Sequence, residues 1–147
     1  MLYSLGKAVI LLKFKGKVDR WVYVVVALVH VLVIAMMVRF WFMGALLGIL
    51  AGAGIIAIVD IILFPMFRTN YVVLDDEGLT VHFAAAVHKV PYKLMRSVKA
   101  VRQPEGHPEY LNLATTGRVE VKAQKGSVLF AVEEPERLIE EVNKHLR

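Results

Sequence analysis

The 147-residue chain has no cysteine. A disulfide framework, a thiolate metal site, an iron–sulfur cluster and a cysteine nucleophile are therefore excluded. Charge is scarce as well: 21% of residues are charged and 57% are hydrophobic. Soluble domains sit near about 45–50% apolar, and a disordered chain needs low hydrophobicity with high charge. Neither description fits. The sequence also lacks an HExxH pair, a phosphate-binding loop and a GxSxG elbow, and Gly6, Gly16 and Gly126 have no phosphate-loop context. His82, His88, His107 and His145 fall on strands, a loop and a helix end with no nucleophile–base–orienter set around them. No enzyme, cofactor or metal is expected.

The apolar residues are concentrated in two runs. Trp21–Val38 carries one ionisable side chain of note, His30, and Phe40–Phe64 carries one, Asp60; only Arg39 separates them. A helix needs roughly 20 mostly apolar residues to cross a hydrocarbon core, and a short connection within lipid enforces an antiparallel hairpin. The expected reading is a two-helix transmembrane unit over residues 21–66, turning between Arg39 and Gly44. Trp21 and Tyr23 mark one interface, and Phe40, Trp41 and Phe42 the other.

The excess positive charge precedes the first run. Lys7, Lys13, Lys15, Lys17 and Arg20 against Asp19 give the first twenty residues a net +4, most of the +5 of the whole chain. Basic residues gather on the cytoplasmic side of membrane helices, so both termini are expected there. Leu2, Leu5, Val9 and Leu12 fall at helical spacing, with Ile10, Leu11 and Phe14 widening the face. Residues 1–20 thus read as an amphipathic basic arm whose lysines either lie on anionic lipid or only set topology. Ala8–Leu12 is too short for the apolar core of a secretory leader. The later part of the chain has no basic stripe interleaved with aromatics, so nucleic acid is not an expected partner.

Polar groups inside lipid are the sharpest functional signal. Counted from Trp21, His30 lies about 13 Å deep, and counted from Phe64, Asp60 lies about 6 Å deep. Direct pairing across that difference requires tilt or a water, and Asp60 has Arg20 and Arg68 as alternative partners. The pair reads either as an inter-helix hydrogen bond with a snorkelling carboxylate or as part of an ion relay. Gly44, Gly48 and Gly52 repeat every four residues, a spacing that lets helices approach closely. Their partner is either the chain's own first helix or another copy.

After Phe67 the pattern becomes short and alternating. Strands are expected over Asn70–Leu74, Leu79–Phe83, Val87–Tyr92 and Ser97–Gln103, with a hairpin of Tyr110–Ala114 and Arg118–Ala123 across Thr115–Gly117, then Ser127–Val132. Asp75-Asp76-Glu77-Gly78 reads as a tight turn in which Gly78 supplies positive φ. Pro135 opens a final helix whose apolar stripe is Leu138, Ile139, Val142 and Leu146. Residues 67–147 therefore form the second unit of an α+β membrane protein.

Thr69-Asn70-Tyr71 with Leu74, Asp75-Asp76-Glu77-Gly78-Leu79, Val90-Pro91-Tyr92 and Glu133-Glu134-Pro135-Glu136-Arg137-Leu138 occur in an order that resembles bacterial pleckstrin-homology (PH) domains, especially those carried behind two membrane helices. The resemblance implies a PH-like antiparallel β-barrel or sandwich capped by one amphipathic helix, on the cytoplasmic face of a bacterial inner membrane. Phosphoinositide-binding members use basic residues around the first hairpin; here its tip is Asp75, Asp76 and Glu77, which repel a phosphorylated headgroup. The resemblance thus implies a protein-binding module. The expected function is a non-enzymatic, self-associating membrane anchor that recruits, scaffolds or regulates a partner protein. The alternatives are a small oligomeric channel or transporter using His30 and Asp60, and an accessory subunit of a larger membrane complex.

Overall fold

The computed structural model describes residues 11–104 and 106–147. It holds three helices and eight strands in the order β1 (Leu12–Lys15), α1 (Arg20–Phe42), α2 (Leu46–Arg68), β2 (Asn70–Leu74), β3 (Gly78–Phe83), β4 (Ala86–Pro91), β5 (Met95–Ala100), β6 (Glu109–Leu111), β7 (Arg118–Ala123), β8 (Gly126–Ala131) and α3 (Pro135–Leu146).

Helices α1 and α2 have 23 residues each and are long and apolar enough to cross a membrane, about 34 Å at 1.5 Å per residue. Only 6% of the most apolar stretch of either helix is buried, so neither is the core helix of a soluble fold. Helix α1 runs through Arg39, and the turn narrows to Met43, Gly44 and Ala45. Gly44 adopts φ +66°. The Ala45 N–H donates to the Phe40 carbonyl at 2.9 Å and the Gly44 N–H to that of Trp41 at 3.1 Å. This is a Schellman closure, which places glycine in the left-handed position.

The strands form two four-stranded sheets, β1-β2-β3-β4 and β5-β7-β8-β6, not closed into a barrel. Alternation sets their faces. In β2, Asn70, Val72 and Leu74 are buried while Tyr71 and Val73 are half-exposed. A common core takes Phe14, Val72, Leu79 and Val81 from the first sheet, Val119, Val121 and Phe130 from the second, and Leu138 and Val142 from α3. Helix α3 has Pro135 at its start, Glu136 in its first turn and Lys144 and His145 in its last, each sign of charge where the helix dipole favours it.

Three expectations need correction. The basic arm is not helical where it is described. Leu12–Lys15 is a strand pairing with β2, Leu12 opposite Leu74 and Lys15 opposite Tyr71, and Phe14 is only 4% exposed. The β unit therefore draws on both sides of the helical pair, and the boundary expected at residue 67 does not hold. Residues 1–10, including Lys7 and the first three residues of the segment weighed as a leader, lie outside the described residues. Next, β6 makes no hairpin with β7; it pairs in parallel with β8, Tyr110 opposite Leu129. Finally, Gly78 has no positive φ. A side chain there would collide with the Val90 carbonyl and lie 2.8 Å from the Pro91 Cα, so close strand approach, not turn conformation, requires the glycine. The turn before it is held by the Asp75 carboxylate, which accepts from the Glu77 and Gly78 N–H groups at 2.8 and 2.9 Å.

Tyr92 lies in the single 3-10 turn Tyr92–Leu94, stacked on His145 at 4.5 Å. Its hydroxyl is buried without a hydrogen-bond partner. Burial, reinforced by Asp75, Asp76 and Glu141, pushes its phenol up to about 12. The raised value means that this tyrosine favours the fold below about pH 10, and that the contribution fades as pH climbs through about 12. An alkaline absorbance titration should contain a late step that Tyr92→Phe removes. An unchanged curve in that variant would contradict the burial.

Candidate functional site

The helical pair is inserted into a β-hairpin. Gly16 donates its N–H to the Asn70 carbonyl at 2.8 Å, closing β1 onto β2 on the near side of both helices. A Cβ at Gly16 would collide with the Asn70 side chain, so only glycine lets the strands meet there. Beyond Gly16 the chain crosses to the second sheet. Lys17 N–H donates to Ala131 O at 3.0 Å and Asp19 N–H to Leu113 O at 3.2 Å. The Asp19 carboxylate then accepts from the Thr115 N–H at 2.8 Å, the Thr115 hydroxyl at 2.6 Å and the Trp21 indole at 3.3 Å. These bonds, led by the Thr115 hydroxyl, hold Asp19 below the usual carboxylate range. At the other exit only Thr69 separates α2 from β2, and the Tyr23 ring stacks on Phe67 at 5.1 Å. The β unit is thus mounted on the helices through both sheets, with no free linker.

His30 and Asp60 meet directly. His30 Nε2 lies 3.0 Å from Asp60 Oδ1, and Nδ1 lies 2.8 Å from the Val26 carbonyl. A carbonyl only accepts, so Nδ1 must carry a hydrogen. The Nε2–Oδ1 contact then holds a single proton. The pair is either imidazolium with carboxylate or imidazole with carboxylic acid, and its net charge is zero in both. A neutral, mutually satisfied pair is the form that an apolar surround tolerates. Asp60 makes no ion pair with Arg20 or Arg68 among the described residues.

The small-residue stripe divides by position. Cβ atoms added at Gly48 and Gly52 would run into the Phe40 ring, 2.5 Å from its Cγ, and into Met37. These two glycines therefore face α1 of the same chain. Gly44 belongs to the turn and packs on nothing, and Gly54 opens onto free space. Gly52→Ala should cost about 1 kcal/mol of hairpin stability, since Met37 can move partly aside, whereas Gly54→Ala should be neutral or slightly stabilising. Thermal unfolding of both variants in the same detergent checks this; equal effects would show that the glycines do not set the helix contact.

The basic residues also separate. Lys13 and Lys15 project from the outer face of the first sheet, with the Lys13 ammonium 3.9 Å from the centre of the Tyr71 ring and Lys15 paired to Glu133 at 2.9 Å. The Lys17 stem lies against Gly117 on the side of the second sheet. Arg20 is exposed at the start of α1. Asp75, Asp76 and Glu77 stand at the opposite end of β2 from Asn70, about 16 Å away along five strand residues. The first sheet is therefore basic near the helices and acidic at its far tip.

Far from the helices, a groove of about 370 Å³ runs between β4 and the β6–β8 edge, lined by His88, Pro91, Leu94, His107 and Lys125. His88 Nδ1 and Glu109 Oε2 bridge it at 3.0 Å. β4 and β6 each end their sheet on this side, as β1 and β5 do on the other, and they leave Val87 62% and Tyr110 57% exposed. Sequence alternation places His88 on a strand, ends the preceding loop at Glu109 where the structure begins β6, and says nothing of the two residues' meeting. No role for Glu120 is legible in the sequence; it is fully buried, and neither carboxylate oxygen is hydrogen-bonded among the described residues. Among the described residues no three His, Asp or Glu side chains converge as a metal site.

No protein-family model, curated protein or solved structure matches the chain, so the reading of its function rests on the mounted β unit, the β4 and β6 edges and the His30–Asp60 pair.

Proposed function

We propose that the chain is a non-enzymatic membrane protein whose helical pair spans the bacterial cytoplasmic membrane, both termini inside, and presents its β unit to a partner protein. The observation that carries this reading is the rigid mount. Two helices with almost entirely exposed apolar surfaces enter the β unit through paired strands, and Asp19 is tied to Thr115. A tethered domain that searches for ligand needs a flexible linker; a scaffold that holds a surface at set height and orientation does not. The surface offered is the β4–β6 side, where unpaired strand edges accept an extended segment by main-chain hydrogen bonding and exposed Val87 and Tyr110 add side-chain contacts. The outward face around Gly54 is available for self-association. The inside-positive bias of Lys13, Lys15, Lys17 and Arg20 supports the orientation, and the PH-like resemblance agrees with a β module in this role.

Purification in mild detergent with mass measurement of the intact particle tests the proposal. The wild-type chain should carry a partner in fixed stoichiometry, and the doubly substituted Val87→Asp, Tyr110→Ala chain should lose it while keeping its melting temperature. Retention of the partner by that variant removes the assigned surface. A reporter fusion placing the carboxyl terminus outside the cell removes the proposal.

A further inference from the structure

A second cavity, of about 420 Å³, lies where the helices meet the first sheet. Its walls include Lys13, Lys15, Arg68, Tyr23, Phe67 and Asn70. Three cations face one carboxylate there, Glu133, which is committed to Lys15 at 2.9 Å. Lys13 and Arg68 have no carboxylate partner among the described residues. Each instead lies over an aromatic ring, Tyr71 at 3.9 Å and Phe64 at 5.8 Å. Asn70 stands in the same wall. The cavity therefore has uncompensated positive charge, the need that a phosphate group meets.

Its position specifies the bearer of that phosphate. Arg68 is the last residue of α2, and Tyr23 lies in the first turn of α1, so the cavity stands level with the ends of both helices. Phe67 lines it and also lines a mostly apolar groove of about 480 Å³ that continues along the helical pair past Phe64, Leu63 and Val26 to Asp60, whose carboxylate is engaged by His30. A cationic chamber that opens onto an apolar groove along a membrane helix matches an anionic headgroup with its acyl chain attached. Inorganic phosphate matches the chamber alone.

We propose that this junction is a binding site for one anionic phospholipid, its phosphate held by Lys13 and Arg68 and one acyl chain laid in the groove below Phe67. The site is separate from the β4–β6 surface and goes beyond the scaffold reading. It is also at the opposite end of the sheet from the Asp75–Glu77 tip, so the repulsion expected at that hairpin does not act on it. A lipid so placed touches β1, β2 and both helices, and ties the mount to the composition of the leaflet.

Native mass spectrometry of the full chain in detergent tests the site, with equal amounts of phosphatidylglycerol and phosphatidylcholine of matched acyl chains, with and without inorganic phosphate. One phosphatidylglycerol per chain should be retained in preference to phosphatidylcholine. Lys13→Gln and Arg68→Gln should each weaken retention about fivefold, while Lys125→Gln, in the distant groove, should leave it unchanged. Unaltered melting temperatures confirm that all three variants are folded. Equal retention of the two lipids, or full retention by Lys13→Gln/Arg68→Gln, overturns the proposal. Release of the lipid by millimolar inorganic phosphate overturns it too, because the site then selects phosphate and not lipid. A chain that is monodisperse in water without detergent would instead remove the membrane reading itself, a different result from lost lipid selectivity in a detergent-bound chain.

Discussion

A chain spanning only Phe67–Arg147 should not fold, whereas residues 11–19 joined to 69–147 by about five glycine and serine residues should give a water-soluble β protein. The first chain lacks β1, which covers one edge of β2 over four paired positions and supplies Phe14 to the core. Removal of a buried phenylalanine alone costs about 3–5 kcal/mol, against a total stability of about 5–15 kcal/mol for a domain. The loss extends further. Lys17 and Asp19 give up their bonds to Ala131 and Leu113, Glu133 N–H loses the Lys15 carbonyl, and Thr115 loses the Asp19 carboxylate. The exposed edge of β2 would then pair with other chains. In the second chain the linker replaces the helical pair, whose two ends leave the β unit side by side; packed helix axes lie about 8–10 Å apart, within reach of five residues. Cooperative melting and dispersed amide resonances should appear in the linked chain only. A cooperative melt in the shorter chain would show β1 to be dispensable.

The second large effect lies within the helical pair. His30→Leu strips Asp60 of its one hydrogen-bonding partner among the described residues and should lower the melting temperature of the detergent-solubilised chain. Asp60→Leu leaves an imidazole still bonded to the Val26 carbonyl and should cost less. The double substitution should cost less than the sum of the singles, the sign of coupling in an inter-helix polar pair. The asymmetry between the singles follows from the partners: His30 alone keeps its Nδ1–H on the Val26 carbonyl, whereas Asp60 alone keeps no hydrogen bond among the described residues. Thermal melts of the four chains in one detergent complete the cycle. Strict additivity would mean that His30 and Asp60 do not interact, and would leave both to a role outside the hairpin.

The depth expected for this pair shows where residue counting fails. Taking Trp21 and Phe64 as the helix ends separates His30 and Asp60 by about 7 Å. The helices instead begin and end at Arg20 and Arg68. His30 is ten residues from the first end and Asp60 eight from the second, a difference of about 3 Å that side chains span. Arginine stems extend a helix past its apolar run because their charged heads reach water from the last turn.

Two apolar helices, a tight turn between them, the strands β2, β3, β4, β7 and β8 and the amphipathic α3 were determined by the sequence alone, because each follows from a local period, a capping residue or a run length. Leu12-Lys13-Phe14-Lys15 carries a strand's alternation as well, but four residues followed by two long helices give no sign of a partner fifty-five residues away. Tertiary structure alone decided that β1 closes the first sheet, that β6 joins β8 in parallel and not β7 in a hairpin, that Gly48 and Gly52 face their own chain while Gly44 turns it, and that Lys13 and Arg68 share one cavity. These are all pairings between distant segments. Local propensity prescribes the form of an element; the choice among its possible neighbours belongs to the one arrangement that buries Phe14, Phe130 and Leu138 in a common core.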